Sequence, residues 1–110
     1  MLVEVLVFDG CPNGQEALDL VQRLVATEFT EAQVRLVDVL DAETAERLRF
    51  LGSPSIQVNG LDIEEGRSAE ESFSYSCRVY RTSEGVFGVP PEDMVRKALA
   101  NSQTVHSSIS

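Results

Sequence analysis

The sequence has one histidine, His106, and two cysteines, Cys11 and Cys77. Two cysteines do not make a disulfide scaffold. His106 falls in a polar, serine-rich stretch and offers neither a Cys–His dyad nor a zinc site with ligand spacing. Basic residues are also scarce, nine Lys and Arg against eighteen Asp and Glu, for a formal charge of −9. A phosphate backbone or an anionic lipid surface needs clustered cations, so neither nucleic acid nor membrane is an expected partner. No apolar run approaches the length of a membrane span or a secretory h-region, and no basic segment precedes residues 2–8. The expectation is a cytoplasmic protein in a reducing compartment, where a free cysteine stays a thiol. There is no glycine-rich phosphate loop, no Walker pattern, no paired-carboxylate site and no internal repeat. Oligomeric state is not readable.

What is present fits one α/β domain: 110 residues of which 43% are apolar, enough to close a single core. Residues 2–8 are apolar on both faces apart from Glu4, as in a central strand covered by helices on both sides. From Pro12 to about residue 27, Ala17, Leu18, Val21, Leu24 and Val25 recur at helical spacing, with Pro12 in the first turn. Residues 34–40 read as a second strand, parallel to the first through a right-handed crossover. Asp41 caps a helix over 42–51, and Gly52 ends it. Pro54 opens a short strand, and Asn59-Gly60 is a hairpin signal that returns the chain through 61–63. Pro90-Pro91-Glu92-Asp93 begins the last helix, with Met94, Val95, Ala98 and Leu99 on one face.

The order is βαβαββα with a central mixed four-stranded sheet. Residues 64–89 form an inserted segment, acidic at its start, in which residues 77–80 read as a short edge strand. The domain spans 1–100, and 101–110 read as a flexible tail.

Asp9-Gly10-Cys11-Pro12-Asn13-Gly14 is the stretch around which the chain is organised. A cysteine between a buried strand and a helix start faces unpaired backbone N–H groups, which favour a thiolate. The alternative is a cysteine retained without chemistry. Cys77 reads equally as a second thiol able to reach Cys11 and as a small buried apolar residue. Asp9 reads as a solvated turn residue, since a carboxylate beside a thiol opposes ionisation. Arg78 reads as a counter-charge or as a solvent-facing side chain.

This element order, with Cys11-Pro12-Asn13-Gly14 at a helix start and Ser53-Pro54 opening the hairpin, resembles the thioredoxin-like superfamily. More narrowly it resembles small bacterial thioredoxin-like proteins with a Gly-Cys-Pro-Asn box, some labelled after alkylmercury lyase. The matching pieces are residues 10–13, 52–54 and 76–80. The resemblance implies that Cys11 is the nucleophile, that Pro54 is a cis-proline beside it, and that Pro12, Ser53 and Pro54 shape the groove for a small-molecule or protein thiol or disulfide. Gly14 stands where the second cysteine of the motif would be, so a dithiol reaction cannot run within it.

Two functions follow as expectations. One is thiol–disulfide exchange with Cys11 as nucleophile, Cys77 as an alternative resolving cysteine and no cofactor. The other is a non-enzymatic module that holds a soft metal such as Hg, Cu or Zn, or a protein partner, through the same thiols. A purely structural domain that dimerises through the sheet edge or the 64–89 segment is the third.

Overall fold

A computed structural model of the chain describes residues 1–8, 10–64 and 78–109, with residues 103–109 described as backbone only. Its elements run β1 (Leu2–Val7), α1 (Gly14–Glu28), β2 (Gln33–Asp38), α2 (Ala42–Arg47), β3 (Ser55–Val58), β4 (Leu61–Asp62), β5 (Tyr80–Thr82), β6 (Gly85–Phe87) and α3 (Glu92–Ile109). Four strands make a mixed sheet in the order β2-β1-β3-β4, and β5 and β6 form a separate two-stranded ribbon. Among the described residues, no helix is long and apolar enough to cross a membrane.

β1 is the central strand because its side chains are apolar in both directions. Val3 and Val5 enter the larger core with Ala17, Val21 and Leu24 of α1, Ile56 and Val58 of β3, and Val95 and Leu99 of α3. Leu6 points the other way, into a smaller cluster with Val39, Ala45 and Phe50. The sheet therefore has α1 and α3 on one face and α2 on the other. β1 runs parallel to β2, Val3 opposite Val34 and Val7 opposite Asp38. It runs antiparallel to β3, Val3 opposite Val58 and Leu6 opposite Ser55. This register brings the end of β1 and the start of β3 to the same end of the sheet.

Asn59 and Gly60 both take positive φ, 51° and 86°, as a two-residue hairpin with matching twist requires. The Asn59 amide oxygen also accepts from Leu2 N at 2.9 Å, and Leu2 O accepts from Asn59 N at 2.8 Å, which fastens the turn to the beginning of β1.

Five details differ from the sequence reading. α1 begins at Gly14 rather than Pro12, because residues 11–14 close a turn first, with Gly14 N donating to Cys11 O. Proline suits the second position of such a turn as well as it suits a helix start. α2 ends at Arg47, so Gly52 is not its cap. Arg49 adopts φ 58°, Arg49 N donates to Glu46 O, and Phe50 N donates to Ala45 O. That is a Schellman arrangement with arginine in the left-handed position glycine usually takes. The fully buried Phe50 side chain is what the reversal delivers to the core. β2 is an edge strand that leaves Leu36 exposed despite its apolar composition. The inserted segment contains a hairpin, β5 and β6, joined through Thr82 and Gly85. The backbone of α3 continues to Ile109, well past the end of its apolar stripe at Leu99.

An exposed ion cluster joins α1 to α3. Arg96 donates to Glu28, Glu92 and Asp93, and Arg23 pairs with Glu92. Hydrogen bonds from Arg96 hold the Glu28 carboxyl below its ordinary range, and those from Arg23 and Arg96 do the same for Glu92. A carboxyl whose folded pKa is depressed stabilises the fold above its unfolded pKa, and that contribution disappears as pH falls through the folded value. Carboxyl titration by NMR is expected to place both groups below an ordinary glutamate and to show α1–α3 contacts weakening only on acidification. Ordinary glutamate titration at both positions would contradict the cluster.

Candidate functional site

The site is built where β1 ends and β3 begins. Leaving β1, Phe8 O accepts from Cys11 N at 3.2 Å, and Cys11 O accepts from Gly14 N at 3.4 Å. Gly10 takes φ +84°, so the chain folds back on itself and presents Cys11 one turn before the helix. Cys11 is a free, half-buried cysteine. A Cβ at Gly14 would come within 3.0 Å of Val7 Cγ1, so a small residue is needed for α1 to close on the end of β1.

Across from this turn lies the loop 52–55. Ser53 is buried, its hydroxyl oxygen accepts from Phe8 N at 3.3 Å, and the Ser53–Pro54 peptide is cis. That hydrogen bond ties the proline loop to the chain entering the Cys11 turn. The expected nucleophile and the expected groove residues Pro12, Ser53 and Pro54 therefore share one end of the sheet.

A third segment, residues 78–80, closes over the proline loop. Arg78 N donates to Ser53 O at 2.9 Å, and Tyr80 OH donates to Pro54 O at 2.6 Å. Gly52 permits the approach: its φ is +117°, and a Cβ there would lie 2.8 Å from Arg78 Cβ and 3.2 Å from Arg78 Cα. The carbonyls of Ser53 and Pro54 thus each accept one hydrogen bond from the chain itself.

Arg78 is the residue whose role composition could not show. It is 4% exposed, neither a solvent-facing side chain nor a free counter-charge. Its guanidinium donates to Asp62 through both terminal nitrogens, at 2.7 and 2.8 Å, to Ser55 Oγ at 3.0 Å and to Glu64 at 3.1 Å. It also lies 4.3 Å from the centre of the Tyr80 ring. Burial by itself would lower the Arg78 pKa. The hydrogen bonds and charge of Asp62, together with Tyr80 and Glu64, outweigh burial and keep the pKa above its ordinary value. Glu64 N in turn donates to Asp62 Oδ2, which fixes the carboxylate for its two-pronged bond. Arg78 Nε is buried and has no hydrogen-bond partner among the described residues.

Asp62 is not singled out by the sequence, Gly52 reads there as a helix end and Tyr80 as part of the 76–80 piece, and none of the three is marked as a site residue. Asp62 falls in the returning strand 61–63, and no local pattern marks a carboxylate that pairs with a residue sixteen positions later. Glu64, at the acidic start of the inserted segment, joins the same ion group. Cys77 and Asp9 lie outside the described residues. Among the described residues, no three His, Cys, Asp or Glu side chains gather as metal ligands.

The ribbon's far end flanks the Cys11 turn from the other side. A Cβ at Gly88 would lie 2.3 Å from the Asn13 side-chain nitrogen, so Gly88 packs directly on the residue that precedes α1. Compared with family models, with curated proteins and with solved structures, the chain matches none.

Removing one member of a buried ion pair leaves the other charge without compensation and costs about 3–5 kcal/mol. Asp62→Ala is expected to lose about that much in urea unfolding followed by circular dichroism, whereas Asp62→Leu combined with Arg78→Met recovers most of the loss. A single-variant loss under about 1 kcal/mol, the range of an exposed pair, would contradict the burial of this group.

Proposed function

We propose that this chain is a thioredoxin-like thiol protein that carries out thiol–disulfide exchange through Cys11. The reading is supported chiefly by the junction of the Cys11 turn and the Ser53–Pro54 loop at one end of a β2-β1-β3-β4 sheet, through the Phe8 N to Ser53 Oγ bond. In the reaction the Cys11 thiolate attacks one sulfur of a substrate disulfide. The substrate's S–S bond breaks, a Cys11 mixed disulfide forms, and the other sulfur leaves as a thiolate that takes up a proton. A second thiolate, of Cys77 or of an external thiol, then attacks the Cys11 sulfur, and the remaining half of the substrate leaves as a thiolate and takes up a proton. The new disulfide on Cys11 is reduced back to the thiol by a further external thiol, which is itself oxidised to a disulfide.

Arg78 N and Tyr80 OH each fill one acceptor position on the carbonyls of Ser53 and Pro54, which reduces what the proline loop offers an extended peptide. A small disulfide, which needs no such pairing, is the substrate class this reading takes.

The test is reaction with 4,4′-dithiodipyridine at neutral pH, with thiopyridone release timed and adducts mapped by mass spectrometry. Wild type and Cys77→Ser are expected to form the Cys11 adduct quickly, and Cys11→Ser is expected to lose that fast phase, slowing by at least about tenfold. Equal rates in wild type and Cys11→Ser would overturn the reading.

A further inference from the structure

A cavity of about 610 Å³ opens between α1, the end of the β5–β6 ribbon and the run from Val89 to Pro91. Its apolar lining includes Leu20, Phe87, Val89 and Pro90, and Phe87 remains 42% exposed there. Its polar lining is predominantly acidic. Glu16, Asp19 and Glu84 contribute carboxylates, while Arg23, the cation among the lining residues, is engaged by Glu92 at 2.5 Å. Asp19 accepts from Gln15 Nε2, which leaves its negative charge in place.

We propose that this cavity binds a small organic cation with a compact apolar body, its ammonium group among Glu16, Asp19 and Glu84 and its body against Leu20, Phe87 and Pro90. The volume falls within the range of pockets for small organic ligands, about 300–1,000 Å³. Charge selects the class. An anionic ligand would face three carboxylates with the arginine already paired, and the −9 charge of the chain repels it further. The accessible ring of Phe87 adds attraction for a cation, which is strongest where the ammonium is partly removed from water. The proposal stands independently of Cys11, which does not line the cavity.

The experiment titrates the full chain with benzyltrimethylammonium, benzyl alcohol and benzylsulfonate, following amide chemical shifts by NMR. The cation is expected to give saturable shifts centred on Leu20, Phe87 and Gly88, to bind about tenfold more tightly than the anion, and to weaken as salt is raised. Glu84→Gln, an exposed change outside the core, is expected to weaken the cation by about twofold to fivefold and to leave the alcohol unchanged. Phe87→Ala is expected to weaken cation and alcohol alike. Equal affinity for cation and anion, shifts centred elsewhere, or no saturable shift with the cation would each overturn the proposal.

Discussion

The buried guanidinium of Arg78 is the constraint on which the site end of this molecule depends. A charge taken from water is tolerated only when oppositely charged and polar groups surround it. Here Asp62, Glu64, Ser55 and the Tyr80 ring supply that environment, and they come from both sides of the segment that separates the sheet hairpin from the β5–β6 ribbon. Satisfying the charge therefore fixes where residues 78–80 return to the sheet. That return places Arg78 N on Ser53 O and Tyr80 OH on Pro54 O, so one ion group orders the proline loop beside the Cys11 turn. A buried ion pair largely repays its own desolvation, so the group is better regarded as specifying an arrangement than as adding net stability.

Much of the layout was legible in residue patterns whose physics is local. The doubly apolar β1, the amphipathic α1 and the Asn59-Gly60 turn each carry their own signal, and together they lead to a mixed four-stranded sheet with helices on both faces. What escaped was non-local. β2 reads as a second strand parallel to β1, but its place at the sheet edge is set by where β3 inserts. Arg49 occupies a left-handed position without the glycine that would have announced it, because the burial of Phe50 determines the helix end. The ribbon of β5 and β6 is too short for periodicity to distinguish it from a loop.

The same distinction holds at the site. Cys11, Ser53 and Pro54 were visible as residue types at a strand end and a loop, and the register of β1 with β3 places their segments together. Arg78 and Asp62 were visible only as charges on a strongly acidic chain. Their partnership follows from a fold that brings positions sixteen residues apart into a dry pocket. The outcome is a thiol turn flanked by two unlike surfaces: a proline loop whose carbonyls each accept one hydrogen bond from the chain itself, and, beyond Asn13 and Gly88, an acidic-walled cavity.

The order of the proline loop depends on residues 78–80 being held against it as part of the cooperative structure. Native-state hydrogen exchange of the Arg78 amide, which donates to Ser53 O, tests this most directly. Its protection should approach that of the β1 amide of Val5 and fall together with it in increasing denaturant, as for groups that open only by global unfolding. An Arg78 amide that exchanges like an open loop while Val5 remains protected would show that the segment is not clamped, and would contradict the role assigned to the buried ion group.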